Sequence, residues 1–150
     1  GPFPTEIFDE TADYIRIQGN EFGSTTGRPR RIGYFDAVLA SYSARLNALD
    51  SIALTLLDVL SGVEELKLCV GYKLGNKVIT QPPSHPLLLA KAEPIYMQLE
   101  GWDEDITGVR RFEDLPINAQ LYLRAVEDTL DLPVEIVSVG KDRKQTFRMF

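Results

Sequence analysis

The stretch Ser51-Ile-Ala-Leu-Thr-Leu-Leu-Asp-Val-Leu60 decides how this chain is read. It is short, mostly apolar and closed by Ser61-Gly62, the pattern of a strand buried on both faces, as in a sheet that carries helices on either side. The strand is expected to end close to Asp58. Upstream, Phe35, Val38, Leu39, Tyr42, Leu46 and Leu49 follow the three-and-four spacing of one helical face, so a helix is expected from about Gly33 to Asp36 onward. Downstream, Glu65 to Tyr72 reads as a second strand, and Gly75-Asn76 as the turn of a hairpin into Lys77 to Thr80.

Residues 81–86 (Gln-Pro-Pro-Ser-His-Pro) read as a loop and Pro94 to Leu99 as a strand. Asp114 is expected to cap a helix with Pro116 in its first turn and Leu121, Tyr122, Ala125 and Val126 facing inward. Val134 to Val139 is the last expected strand, leading into Gly140 and the polar Lys141-Asp142-Arg143. Residues 1–33, rich in Gly, Pro, Ser, Thr and Asn, read as loops framing a short strand near Tyr14 to Ile17. Strands alternating with helices give an α/β class, with a mixed, largely parallel sheet flanked by helices. The 150 residues suit one domain, with loops over 1–33 and the α/β portion over 34–150; no internal repeat is visible.

Composition narrows the function. Hydrophobic residues at 44% and charged residues at 25% fit a globular chain, and no apolar run is long enough to span a bilayer. A net charge of −6 argues against tracking a nucleic-acid backbone, so any basic patch is local. The lone Cys69 lies in an apolar stretch and is expected to be a buried, inert thiol; with no second cysteine, the chain fits a reducing cytoplasm. The sequence opens Gly1-Pro2-Phe3-Pro4 without a start methionine, and is expected to begin in mid-protein.

Three features could carry chemistry. Ser24-Thr25-Thr26-Gly27-Arg28-Pro29-Arg30-Arg31 sets three arginines behind hydroxyls and a glycine, in an acidic protein. Guanidinium forks and hydroxyls in a flexible turn suit a carboxylate or phosphate, the alternative being a solvated basic loop. Asp58, at the carboxyl end of a buried strand, stands where open α/β sheets bind ligands. A carboxylate there can accept from the ring N–H and exocyclic amine of guanine and would reject adenine; the alternative is a cap or turn residue. Ser138-Val139-Gly140 is a small-residue turn whose amides can approach a ring or phosphate.

The remaining features read as structural. His85, between prolines in a polar loop, is expected to be exposed, Trp102 to anchor a loop, and Asp103, Glu104 and Asp105 to be a solvated charge run. No Gly-x-x-x-x-Gly-Lys phosphate loop, GxGxxG, nucleophile elbow, two-histidine metal pattern or Cys/His pair occurs. No catalytic residue and no metal ligand is assigned in this chain.

The segments Gly1 to Glu6, Gly19 to Gly23 and Thr25 to Arg31, with Gly33 to Asp36, Leu57 to Leu60, Lys67 to Tyr72, Glu93 to Tyr96, Gly101-Trp102 and Ile136 to Gly140, resemble the adenylosuccinate synthetase family in nearly unbroken order. The resemblance implies the C-terminal portion of a P-loop-NTPase-like synthetase fold. It implies GTP-driven ligation of L-aspartate to IMP, with Mg2+ on the GTP phosphates, in a cytoplasmic homodimer without nucleic-acid or membrane partners.

By carry-over, Ser24, Thr25, Thr26, Gly27, Arg28 and Arg30 belong to the loop over aspartate and IMP, with Arg30 also toward GTP. Leu56, Leu57, Asp58, Ser138, Val139 and Gly140 fall on the guanine-binding elements, Asp58 being the specifying carboxylate. The family commonly has lysine where this chain has Leu56 and proline where it has Lys141, which implies weaker GTP affinity with base specificity retained. The phosphate loop, catalytic aspartate and histidine, and the Mg2+ ligands are expected upstream of residue 1, so these residues alone are expected to be inactive. A non-catalytic module for a purine nucleotide or dicarboxylate is the alternative, and an inactive folding fragment with exposed core a third reading.

Overall fold

The computed structural model describes residues 1–150. Helix α1 (Glu10–Gln18) stands where a short strand is expected at Tyr14 to Ile17. The alternation Tyr-Ile-Arg-Ile imitates a strand, but Asp9 decides the outcome: its carboxylate accepts from the Thr11 and Ala12 amides, and Glu10 and Asp13 complement the positive helix start. Strand β1 (Phe35–Asp36) runs straight into α2 (Ala37–Leu46), capped by Asp36, so the expected helix is present. The expected stripe is packed only in its first half: Val38 is buried and Phe35 and Leu39 pack against the core, while Tyr42, Leu46 and Leu49 are exposed and Ala37 and Ala44 are buried instead.

Strand β2 covers only Ile52–Leu54, and the expected strand to Asp58 is cut short. Leu56 takes the left-handed conformation at φ 57, and Leu57–Leu60 coil into a 3-10 turn. Strand β3 (Glu65–Leu74) and β4 (Lys77–Ile79) form the expected hairpin about Gly75-Asn76. A one-turn helix, α3 (Pro86–Leu89), follows, and β5 (Glu93–Glu100) pairs antiparallel with β3 from Glu65↔Glu100 to Lys73↔Glu93.

Helix α4 (Ile117–Leu130) begins after Pro116; Asp114 ends a preceding 3-10 turn and does not cap it. Tyr122 and Val126 face inward as expected, joined by Ala119, Leu123 and Leu130, whereas Leu121 is exposed. Strand β6 (Val134–Ser138) is the expected last strand, and β7 (Thr146–Arg148), not foreseen, folds back along it.

The fold is α/β with a mixed set of pairings in two sheets. One holds β1, β3, β4 and β5; the other has the order β2-β6-β7. The β1–β3 and β2–β6 pairs are parallel and the other three antiparallel, so within these residues parallel pairing does not dominate. One core joins the two sheets, with Leu57, Leu68, Ile106, Leu123 and Val137 at 0–1% exposure. Leu57 belongs to the turn after β2, and burying a leucine is worth about 2 kcal/mol, which pins that turn to the core.

Candidate functional site

Strands β2 and β6 run parallel with Leu54 opposite Val137, so both leave the sheet at the same end. Two residues on, the Leu56 amide donates to the Ser138 hydroxyl oxygen at 2.6 Å. The two turns that follow, 56–60 and 138–145, are therefore tied side by side. With Leu57 drawn into the core at 1% exposure, Asp58 is held at the rim, half-buried.

Asp58 Oδ1 is buried and has no hydrogen-bond partner in the chain. Buried carboxylate oxygens are rarely left so, because they lose water without replacement. Burial pushes the Asp58 pKa above the ordinary carboxylate value and Asp105 adds to this, while the Asp58 and Val59 amides and the Lys141 ammonium offset part of it.

Across from it, Gly140 is buried, and its amide donates to no acceptor of the chain. A Cβ there would lie 2.1 Å from Oε1 and 2.2 Å from Cδ of Gln145, so a side chain at this position would displace the Gln145 amide. An acceptor without a donor and a donor without an acceptor thus lie on the two turns that the Leu56–Ser138 bond ties together. A ring edge with neighbouring N–H and C=O groups satisfies both.

The arginine loop is built differently. Phe22 and Pro29 bridge antiparallel, Gly27 donates to the Gly23 carbonyl at 2.9 Å, and Gly27 at φ 68 makes the turn only glycine adopts without strain. Ser24 to Arg30 are all exposed. Arg30 pairs with Glu21 at 2.7 Å, and Arg31 with Glu6 at 2.6 Å over the Phe3 ring, where it raises its own pKa and lowers that of Glu6 through their hydrogen bond. Arg28 alone of the three has a guanidinium with neither ion pair nor hydrogen bond, its carbonyl accepting from the Gly23 amide at 2.7 Å.

No hydrogen bond or ion pair joins this loop to Asp58; α1 links them. The Arg16 guanidinium donates to the Arg30 carbonyl at 3.0 Å, and the Tyr14 hydroxyl donates to the Ser61 carbonyl at 2.5 Å, at the end of the Asp58 turn. The Trp102 indole closes the same turn, donating to the Ser61 hydroxyl at 2.9 Å.

The turns carrying Leu56, Asp58, Ser138 and Gly140 are thus tied together, while Ser24 to Arg28 make no hydrogen bond to any of them. Leu57 and Val139, expected at the ligand, are buried as whole residues at 1% and 0% exposure, so neither side chain is open to a ligand. Arg30 is engaged by Glu21. Cys69 is fully buried with its pKa pushed up to about 11 by desolvation, and Trp102 is buried as a loop anchor. His85 is exposed, its Nδ1 accepting from the Leu87 amide as a cap. Asp105 accepts from the Thr107 amide and hydroxyl, which lowers its pKa.

Gln145 and Thr107 were not legible as neighbours of this site. The signal for Gln145 was the Asp-x-x-Gln spacing from Asp142, a capping box. No group of three His, Cys, Asp or Glu side chains is placed to hold a metal ion, and no helix is long and apolar enough to cross a membrane.

The fold and this arrangement define an α/β protein with unsatisfied polar groups gathered at the carboxyl ends of two parallel strands, where open α/β sheets bind ligands. The family model described as adenylosuccinate synthetase matches residues 1–147. Adenylosuccinate synthetases of Carboxydothermus hydrogenoformans and Clostridioides difficile are each 53% identical to it over 146 residues, 97% of this chain and 34% of theirs. The structure of fully ligated adenylosuccinate synthetase from Plasmodium falciparum superposes with a TM-score of 0.95 at 38% identity, covering 100% of this chain and 36% of that one. The chain belongs to the adenylosuccinate synthetase family and spans about a third of the length of the relatives it matches.

Proposed function

We propose that these residues form the C-terminal, ligand-binding part of a cytoplasmic, homodimeric enzyme that joins L-aspartate to IMP, with GTP hydrolysed to GDP and phosphate, to give adenylosuccinate. The reading is carried by the buried, unpartnered Asp58 Oδ1, with the free Gly140 amide on the turn tied to its own through Leu56 and Ser138. Guanine presents N1–H and its 2-amino group to the carboxylate and its 6-oxygen to the amide. Adenine has an acceptor where N1–H stands and an amine where the oxygen stands, so it would leave both protein groups unpaired.

Arg28, free and set among Ser24, Thr25, Thr26 and Gly27, is assigned to the anionic substrates, aspartate and IMP, where a planar guanidinium can grip a carboxylate. Arg30 can join it only by leaving Glu21. Leu56, partly exposed on the left-handed turn, packs on the base, and the backbone of Leu57, Ser138 and Val139 shapes the slot.

Magnesium does not fit this chain, which offers no acidic cluster for it and no Gly-x-x-x-x-Gly-Lys loop for the phosphates. Those groups are assigned to the rest of the synthetase, and these residues bind and orient.

The test uses the full-length enzyme containing this chain, supplied with IMP, aspartate and Mg2+. Adenylosuccinate should form with GTP and not with ATP. Asp58→Asn should narrow the preference for GTP over ITP, which lacks the 2-amino group, by about tenfold or more. An unchanged preference would sink the base-reading role of Asp58.

A further inference from the structure

We propose that Gln145 is a positioning residue for the base-reading turn: its side-chain amide lies against Gly140 and holds that peptide with the N–H facing the Asp58 side of the slot. The inference rests on the guanine reading of Asp58 and Gly140 given above.

The geometry is close on every side. All three heavy atoms of the Gln145 amide group come within 2.5 Å of where a Cβ on Gly140 would stand, so the amide occupies the space over the Gly140 Cα. Gln145 Oε1 accepts from the Asp142 amide at 3.1 Å, while the Asp142 carboxylate accepts from the Lys144 amide at 2.8 Å, completing a capping box. The Gln145 backbone closes the same loop twice, its N–H donating to the Asp142 carbonyl and its carbonyl accepting from Val139, both at 2.8 Å. Gln145 Nε2 reaches out of the loop to the Thr107 carbonyl at 3.4 Å, and Thr107 is bound to Asp105, one of the charges acting on Asp58.

A glycine peptide without backbone partners is the element most free to rotate, presenting either its N–H or its carbonyl to the slot. A flat, doubly hydrogen-bonded amide stacked on it removes that freedom. Ser138 fixes the turn at one end through Leu56, and Gln145 fixes it at the other.

The experiment compares dissociation constants of full-length enzyme for GDP and for 6-thioguanosine 5′-diphosphate, which keeps N1–H and the 2-amino group and carries a weakly accepting sulfur in place of the 6-oxygen. Gln145→Ala should weaken GDP by about three- to tenfold, one neutral hydrogen bond's worth, and leave the analogue within about twofold. Gln145→Glu, which keeps the bulk and the acceptor for Asp142, should restore the ratio to near that of the parent.

Equal weakening of both nucleotides, or no weakening of either, overturns the proposal, whatever happens to the melting temperature. Should Gln145→Ala fail to fold, Gln145→Met, which fills the space without hydrogen bonds, is read by the same ratio. Asp58→Asn is run beside them. If it abolishes guanine preference while the Gln145 variants leave the ratio unchanged, only this inference fails; if guanine preference survives it, the underlying reading fails.

Discussion

The Leu56 amide and the Ser138 hydroxyl, 82 residues apart in sequence, meet at 2.6 Å where two parallel strands end together. The bond supports an unfavourable backbone: a leucine at φ 57 costs about 1–2 kcal/mol, and its partly buried N–H is satisfied by the serine. Ser138→Ala is therefore expected to lower stability by about 1–3 kcal/mol and to raise KM for GTP through displacement of Asp58. Ser138→Thr should recover most of both. Urea unfolding with GTP kinetics on the same preparations checks it, and a loss of stability with unchanged KM would separate the fold from the site.

The pH dependence follows from the burial of Asp58. Burial favours the protonated carboxyl, whereas accepting from two N–H groups requires the ionised form, so GTP binding should be full above the raised pKa and fall as pH drops through it. In the ligand-free protein the sign reverses: stability from this group is greatest below the ordinary carboxylate pKa and is lost as pH rises through the raised one. Asp105→Asn should move the binding limb to lower pH and Lys141→Met to higher pH. Profiles of kcat/KM for GTP in the three proteins test the order; coincident limbs would remove Asp58 as the titrating group.

Much of this arrangement is written in the sequence, though unevenly. The strands Glu65–Leu74, Glu93–Glu100 and Val134–Ser138 are legible because each is a β-rich run between turn residues. Asp58 and Ser138 to Gly140 are legible as ends of apolar runs. The turn at Leu56 is not, because a left-handed leucine is imposed by Ser138 from a distant strand and by burial of Leu57. Helix α1 was hidden by a two-residue alternation that Asp9 overrides, and the apolar stripe Tyr42, Leu46 and Leu49 stays exposed because α2 packs through Ala37, Val38 and Ala44. Pairing of Arg30 and Arg31 with Glu21 and Glu6 depends on the loop's closure and leaves no mark in the local sequence.

Asp36 links strand, helix and sheet, and its removal should be felt in all three. One oxygen accepts from the Val38 and Leu39 amides at 3.0 and 3.1 Å, and the other accepts from the Tyr72 hydroxyl, on a residue with 0% exposure. Asp36→Ala loses a helix cap, about 1 kcal/mol, and strands a buried hydroxyl, about 1–3 kcal/mol. Tyr72→Phe removes the hydroxyl with its need for a partner and should cost only about 1 kcal/mol. In the double variant the second substitution should cost less than it does alone, which urea unfolding measures as a coupling of about 1 kcal/mol or more.

The three arginines of the 28–31 segment are held differently. Arg31 lies across Phe3 and chelates Glu6, Arg30 is bonded to Glu21, and Arg28 extends from a turn that Gly27 and the Phe22–Pro29 bridge hold shut. A guanidinium with no protein partner has no ion pair to break when a carboxylate arrives, so only its hydration and side-chain freedom oppose the charge-assisted bonds. Arg28→Ala in the full-length enzyme is accordingly expected to raise KM for aspartate by about ten- to a hundredfold, from about 1.5–3 kcal/mol per such bond, with no change in melting temperature. Arg28→Lys should recover only part, because an ammonium cannot grip two oxygens in one plane. Arg31→Ala should show the opposite split, loosening the 1–33 segment with little direct effect on aspartate. Steady-state kinetics with aspartate varied at saturating IMP and GTP decides between them, and an Arg28 variant with parental KM for aspartate would return this loop to the solvated surface.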